Sequence, residues 1–299
     1  MSQPGAATVK KLELILDAKA TLGEGPVWCG ATQRLYWVDI LESRLHWFDP
    51  ASGKHQRREI GAHVGTVVPR AKGGVMLAVK RGFASYDIDK AELTLLAEPE
   101  RDKPNNRFND GKCDPAGRFW AGTLAYDDAP GVASLYRFDP DGSVTVMERG
   151  ISCSNGLVWD LERRRFYYID SPTRTVAAYD YDHATGAIAN KRVVVRCTTD
   201  DGFPDGMAID VEGKLWVAHW GGSQIVRWDP DTGTALARIP TPVSQPTACA
   251  FGGEKLDRLY ITSARVGLKP EVLAKQPLAG GLFVVDPGVR GKPSHAFAG

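Results

Sequence analysis

One pattern recurs six times along the chain and restricts what it can become. A short aromatic strand appears as RLYWVD at 34–39, GVMLAV at 74–79, RFWAG at 118–122, RFYYID at 165–170, KLWVA at 214–218 and RLYIT at 258–262. Successive starts lie 40 to 49 residues apart. A further strand follows each copy and usually closes on Asp, as in LHWFD at 45–49, LYRFD at 135–139 and VRWD at 226–229. In those three, Pro follows the Asp, starting a turn and ending the ladder. Apolar and polar residues alternate between Gly, Pro and Asp punctuation, with almost no helical periodicity, which is the mark of short antiparallel strands. Six copies of a unit of about four strands predict an all-β, six-bladed β-propeller. An irregular β-sandwich gives no reason for such regularity. Leu12 to Leu16 precedes the first copy without a partner of its own, so it is expected to close the last blade of one domain spanning 1–299.

Composition sets outer limits. The formal charge of +1 gives no electrostatic case for nucleic acid or an anionic membrane. No run approaches the roughly 18 apolar residues of a membrane helix. The stretch Met1 to Ala20, with Lys10, Lys11, Glu13 and Asp17, lacks the apolar core of a signal peptide. The five cysteines (Cys29, Cys113, Cys153, Cys197, Cys249) are scattered, with no Cys-x-x-Cys pair, and read as reduced thiols of a cytoplasmic protein. Arg163, Arg164 and Arg165 form the longest basic cluster and read as a solvated turn.

A propeller brings equivalent positions of its inner strands together around the axis. Aligned by repeat, those positions read Glu24, Val64, Asn109, Asn155, Asp205 and, in a looser register, Gln245. Carboxylates and amide oxygens converging on one point suit a hard divalent cation, and the lack of Cys or His argues against structural zinc. The competing reading is that Asn-Gly and Asp-Gly merely mark turns, which leaves Glu24 in the same column unexplained. There is no nucleophile elbow, no His-Glu-x-x-His and no phosphate loop. The histidines show no ligand spacing; His219, beside Trp220, reads equally as a residue at the mouth and as a structural one.

Several segments together carry a family resemblance: LGEGPVW at 22–28, NRFNDGK at 106–112, DPAGR at 114–118, SNGL at 154–157, PDGM at 204–207 and QPLAGG at 276–281. Over nearly its whole length the chain resembles the senescence-marker/regucalcin/gluconolactonase family of six-bladed propellers. The resemblance implies one divalent cation (calcium, zinc, manganese, magnesium or iron(II)) held by Glu24, Asn155 and Asp205. It implies Asp205 as acid/base. Because a bound cation lowers a carboxylate's pKa and weakens it as a base, a cation-bound hydroxide is the competing nucleophile. It implies substrate contacts from Arg107 and Asn109, and Asp127 as the nearest match to a further substrate-holding acid. The implied activity is hydrolysis of a small sugar lactone to an aldonic acid. An arylesterase-like calcium propeller lactonase and a non-catalytic calcium-binding propeller are the alternatives, since fold alone does not give function.

Overall fold

The computed structural model describes residues 11–299. Residues 1–10, including Lys10 of the N-terminal stretch discussed above, lie outside the described residues.

Six four-stranded antiparallel sheets form a ring, a six-bladed β-propeller. From the axis outward, blade I is Gly23–Cys29, Arg34–Asp39, Arg44–Asp49 and Lys54–Glu59. Blade II is Val64–Pro69, Val75–Val79, Gly82–Asp87 and Glu92–Ala97. Blade III is Asn106–Cys113, Phe119–Ala125, Ala133–Phe138 and Val144–Ile151. Blade IV is Ser154–Asp160, Arg165–Asp170, Thr175–Tyr181 and Ile188–Arg196. Blade V is Phe203–Ile209, Leu215–Trp220, Gln224–Asp229 and Thr234–Pro240. Blade VI takes Pro246–Gly252, Arg258–Ser263 and Leu282–Val285, and its outermost strand, Glu13–Leu16, comes from the other end of the chain. The innermost strands of successive blades touch all the way round, blade VI against blade I.

Burial follows the strand order. The inner strand of blade I is buried throughout, whereas its outer strand Lys54–Glu59 is almost wholly exposed. The charged sequence KHQRRE blunts that free edge against further pairing. The turn acids do structural work. In blade III, Asp114 accepts the amides of Ala116 and Arg118 and the indole N–H of Trp120. In blade V, Asp210 does the same for Glu212, Lys214 and Trp216. Each carboxylate thereby fixes a hairpin and ties it to an aromatic of the second strand. On the far face the C-terminal segment straps the ring: Phe297 bridges Arg70 of the first turn in blade II, and Gly291 bridges Asp210.

Blade I holds an imidazole pair, His46 buried and His55 half-buried. His46 Nδ1 lies 2.9 Å from His55 Nε2, and the His46 ring stacks on Trp37 at 3.9 Å. Burial, and then the neighbouring His55, pushes the His46 pKa down to about 3. Folding thus favours the neutral ring. The stabilisation is present above the unfolded histidine pKa of about 6.5 and erodes as pH falls from there toward about 3. His46→Phe keeps an aromatic on Trp37 and removes the titration. Thermal melts at stepped pH are expected to show a shallower acid decline for the variant; parallel profiles would count against this assignment.

Candidate metal centre

The level of the site is fixed by strand pairing. Gly23 pairs with Asp39, Val64 with Val79, Phe108 with Thr123, Ser154 with Asp170, Pro204 with His219, and Pro246 with Ser263. In blades II, III, V and VI the register slips directly after this level, and in blades I and IV one residue later, after Glu24 and Asn155, so each inner strand carries a β-bulge close to it. Bulges re-aim side chains that strict alternation would place elsewhere. The residues that follow the paired position are Glu24, Gly65, Asn109, Asn155, Asp205 and Thr247. Two members of the expected column therefore change. Val64 sits one residue early, and the position belongs to Gly65, where a Cβ would lie 2.5 Å from the Phe108 carbonyl. Blades II and III approach too closely there for any side chain. In blade VI the position belongs to Thr247, whose hydroxyl donates to the Gly23 carbonyl at 2.5 Å and ties blade VI to blade I. Gln245 lies two residues earlier, donating from Nε2 to the Val266 carbonyl at 3.2 Å.

Glu24, Arg107, Asn109, Asn155 and Asp205 all line one cavity of about 530 Å³ at the mouth of the axis. All five are at least nine-tenths buried. A chain of hydrogen bonds orients them. Arg107 Nη1 donates to Asn109 Oδ1 at 2.8 Å, and Asn109 Nδ2 donates to Asn155 Oδ1 at 2.9 Å. Asn155 Nδ2 donates to Ser171 Oγ at 2.8 Å, and Ser171 Oγ donates to the Pro204 carbonyl beside Asp205 at 2.6 Å. Three blades are thus linked through polar side chains whose order is set by the inner strands.

The acids are left under electrostatic tension. Glu24 Oε2 accepts the Gly25 amide at 2.9 Å. Asp205 Oδ1 is buried with no hydrogen-bond partner. Burial, and then the charge of Asp110, raises the Glu24 pKa to about 8. Burial, and then Glu24 and Asp110, pushes Asp205 well above the usual carboxylate range. Such groups call for a counter-charge. Among the described residues no three His, Cys, Asp or Glu side chains are grouped to hold a metal. The donor set is instead two carboxylates and amide oxygens, which fits an oxygen-seeking divalent cation.

Asp127 is not brought to this cavity. It is exposed, and its Oδ1 accepts the Ala129 amide at 3.3 Å. The turn closes tightly, with the Asp128 amide donating to the Ala125 carbonyl at 3.1 Å, and Asp128 (φ 56°) lines the cavity in its place. Tyr126 also lines it, its hydroxyl 2.7 Å from His63 Nδ1. Asp128 and Ser171, which also line the cavity, were not legible as site residues. His219 is fully buried, accepts the Trp228 indole N–H at 3.2 Å, and is held neutral by burial with a pKa of about 4. It is a structural residue; Trp220 beside it lines the cavity.

These features define a class: a six-bladed propeller with an oxygen-donor site on its axis. The SMP-30/Gluconolactonase/LRE-like region matches residues 22–265. Regucalcin of Danio rerio is 44% identical over 292 residues, covering 97% of this chain and 99% of its own. The solved structure of a luciferin-regenerating enzyme superposes with a TM-score of 0.91 at 34% identity, over 96% of this chain and 99% of that one. Regucalcin of Agrobacterium tumefaciens, described as a calcium-binding protein, gives 0.91 at 30% identity over 95% and 96%. The chain belongs to the SMP-30/gluconolactonase/LRE-like family.

Proposed function

We propose that this protein is a divalent-cation-dependent sugar lactonase, opening an aldonolactone to its aldonic acid. The observation that carries the reading is the convergence of Glu24, Asn155 and Asp205, with Asp205 Oδ1 buried and unpartnered, in a cavity of about 530 Å³ shared with Arg107 and Asn109. Calcium, zinc, manganese, magnesium and iron(II) all suit the donor set. When bound, the cation supplies Lewis-acid polarisation of the ester carbonyl and stabilises charge on the carbonyl oxygen.

The chain's own groups do the rest. Asp205 takes a proton from the attacking water as its oxygen bonds to the carbonyl carbon. The ring C–O bond then breaks, and the proton passes to the departing oxygen as the new hydroxyl. Arg107, with donors left over beyond Asn109 and Phe108, holds sugar hydroxyls or the ring ester. Asn109 orients Arg107 and Asn155 together. The five cysteines are all free, which suits a reducing cytoplasmic setting. Among the described residues no helix is long and apolar enough to cross a membrane.

The test is a panel of glucono-, xylono-, arabino- and galactonolactones, with phenyl acetate and an organophosphate alongside. Each is assayed by acid release on chelator-stripped protein and after adding back each cation. Sugar-lactone turnover that disappears on stripping and returns with one cation is the expected result. Turnover that survives complete metal removal would overturn the proposal. Preference for phenyl acetate would point to the arylesterase-like alternative, and cation binding with no turnover to a non-catalytic propeller.

A further inference from the structure

The cavity is larger than the reaction proposed above needs. It encloses about 530 Å³. Cavities of that size hold drug-sized molecules, whereas a single aldonolactone has only about a dozen non-hydrogen atoms. The polar residues Glu24, Asn109, Asn155 and Asp205 that line it are all buried. The rest of the lining is more open and more apolar. Leu41, Trp220 and Val266 are half-buried, and Tyr126 and Phe203 are exposed.

Those two rings differ from every other aromatic side chain of the protein. Among the described residues, Tyr126 (38% exposed) and Phe203 (39% exposed) are the only Phe, Tyr or Trp left so open to solvent, and both line this cavity. Apolar residues exposed singly need no explanation, but two rings gathered at one cavity mark a binding surface. Both are held in place. Phe203, on the inner strand of blade V, lies under Arg174 of blade IV, whose guanidinium carbon is 3.8 Å from the ring centroid. Arg174 Nη1 in turn donates to the Gly202 carbonyl at 2.8 Å. The Tyr126 hydroxyl lies 2.7 Å from His63 Nδ1, and Lys80 Nζ lies 5.0 Å from the Tyr126 ring centroid. A ring already fixed by its neighbours loses little freedom when a ligand stacks on it.

The surroundings of the rings decide what stacks there. Asp128 and Ser152 line the same cavity, and polar side chains hold both rings. An alkyl tail would strip water from these groups and offer them no hydrogen bonds in return. A second sugar ring suits both kinds of neighbour. Its face presents C–H groups that lie on an aromatic ring, and its edge presents hydroxyls to the polar groups. The geometry points to an outer subsite, built by Tyr126 and Phe203, that takes a glycosyl unit carried on the lactone, so that the preferred substrate is the lactone of a disaccharide acid. The inference rests on the lactonase reading of the inner site. The ring ester opens as described above, and the bond between the two sugars stays intact.

The experiment compares kcat/KM for gluconolactone, cellobionolactone (gluconolactone bearing a second glucose) and an alkyl-substituted δ-lactone. It uses cation-loaded wild type, Phe203→Ala, Tyr126→Ala and Tyr126→Phe. Wild type is expected to favour cellobionolactone over gluconolactone by about tenfold or more. Phe203→Ala and Tyr126→Ala should each cut that ratio by about three- to tenfold, chiefly through KM. Tyr126→Phe keeps the ring and drops the hydroxyl, and should retain more of the ratio than Tyr126→Ala. Calorimetric titration of the two product acids, cellobionate and gluconate, should show the same order of preference. Equal kcat/KM for the two sugar lactones in wild type would overturn the outer subsite while leaving the lactonase reading intact. Preference for the alkyl lactone would overturn it in favour of an apolar tail. Equal losses on both sugar lactones in the Ala variants would also overturn it, assigning the rings to the inner site. A wild type that turns over no lactone would overturn the lactonase reading, and this inference with it.

Discussion

Replacing Asp205 with Ala is expected to lower kcat/KM for the preferred sugar lactone by about 1000-fold or more while leaving the propeller folded. Two losses coincide at this residue. The site loses one of its two converging carboxylates, and the attacking water loses the group that takes its proton. Folding loses little, because Asp205 Oδ1 has no partner to forfeit and the bond from the Gly206 amide offsets only part of the cost of burying the charge. The neighbouring chain from Asn155 through Ser171 ends on the Pro204 carbonyl and survives the substitution. Removing an acid whose ionisation is opposed by burial, and then by Glu24 and Asp110, also relieves that cost in the metal-free protein. The stripped variant should therefore melt no lower than wild type. Initial rates of acid release at saturating cation, read beside the melts, check both halves. A rate within tenfold of wild type would remove Asp205 from the mechanism, and a lower melt would show a structural role that the hydrogen bonding does not reveal.

How far the site could be read ahead of the structure depended on strand register. The propeller was legible because six aromatic strands repeat at near-constant spacing, and repetition survives ignorance of every contact. Glu24, Asn109, Asn155 and Asp205 were legible because Gly or Asp-Gly beside most of them marks the bulge. Blade II misled because its glycine is the column residue itself, forced by the Phe108 carbonyl, so that Val64 before it was taken. Blade VI has no glycine at its bulge, and Gln245 was taken two residues from Thr247. Asp128 escaped because a turn that closes on Ala125 at a left-handed residue decides which acid reaches the cavity. Repeats and polarity are written in composition. One-residue slips are written in close approach between blades, which a single sequence does not display.

That close approach can itself be tested, at the ring stack joining blades II and III. Phe83 is fully buried, with ring centroids 5.0 Å from Phe108, 5.3 Å from Phe119 and 5.1 Å from Phe138. It comes from the third strand of blade II, and the other three rings come from the first three strands of blade III. Phe83→Ala removes the common member and leaves a cavity that rigid sheets on both sides cannot collapse into. The expected cost is about 3 to 5 kcal/mol, a fall in melting temperature on the order of 10 °C for a chain of this size. Phe83→Leu, which keeps most of the volume, should cost less than half as much. Phe108 directly precedes Asn109, so loosening this contact also loosens the strand that sets the Arg107–Asn109–Asn155 chain. Below its own transition the Ala variant should retain cation binding yet show a raised KM, since Arg107 and Asn109 are the residues assigned to substrate. Melts and steady-state kinetics on the two variants decide it. A loss of under 1 kcal/mol would mean that the blades are held together elsewhere, and that the closeness excluding a side chain at Gly65 is not enforced by this stack.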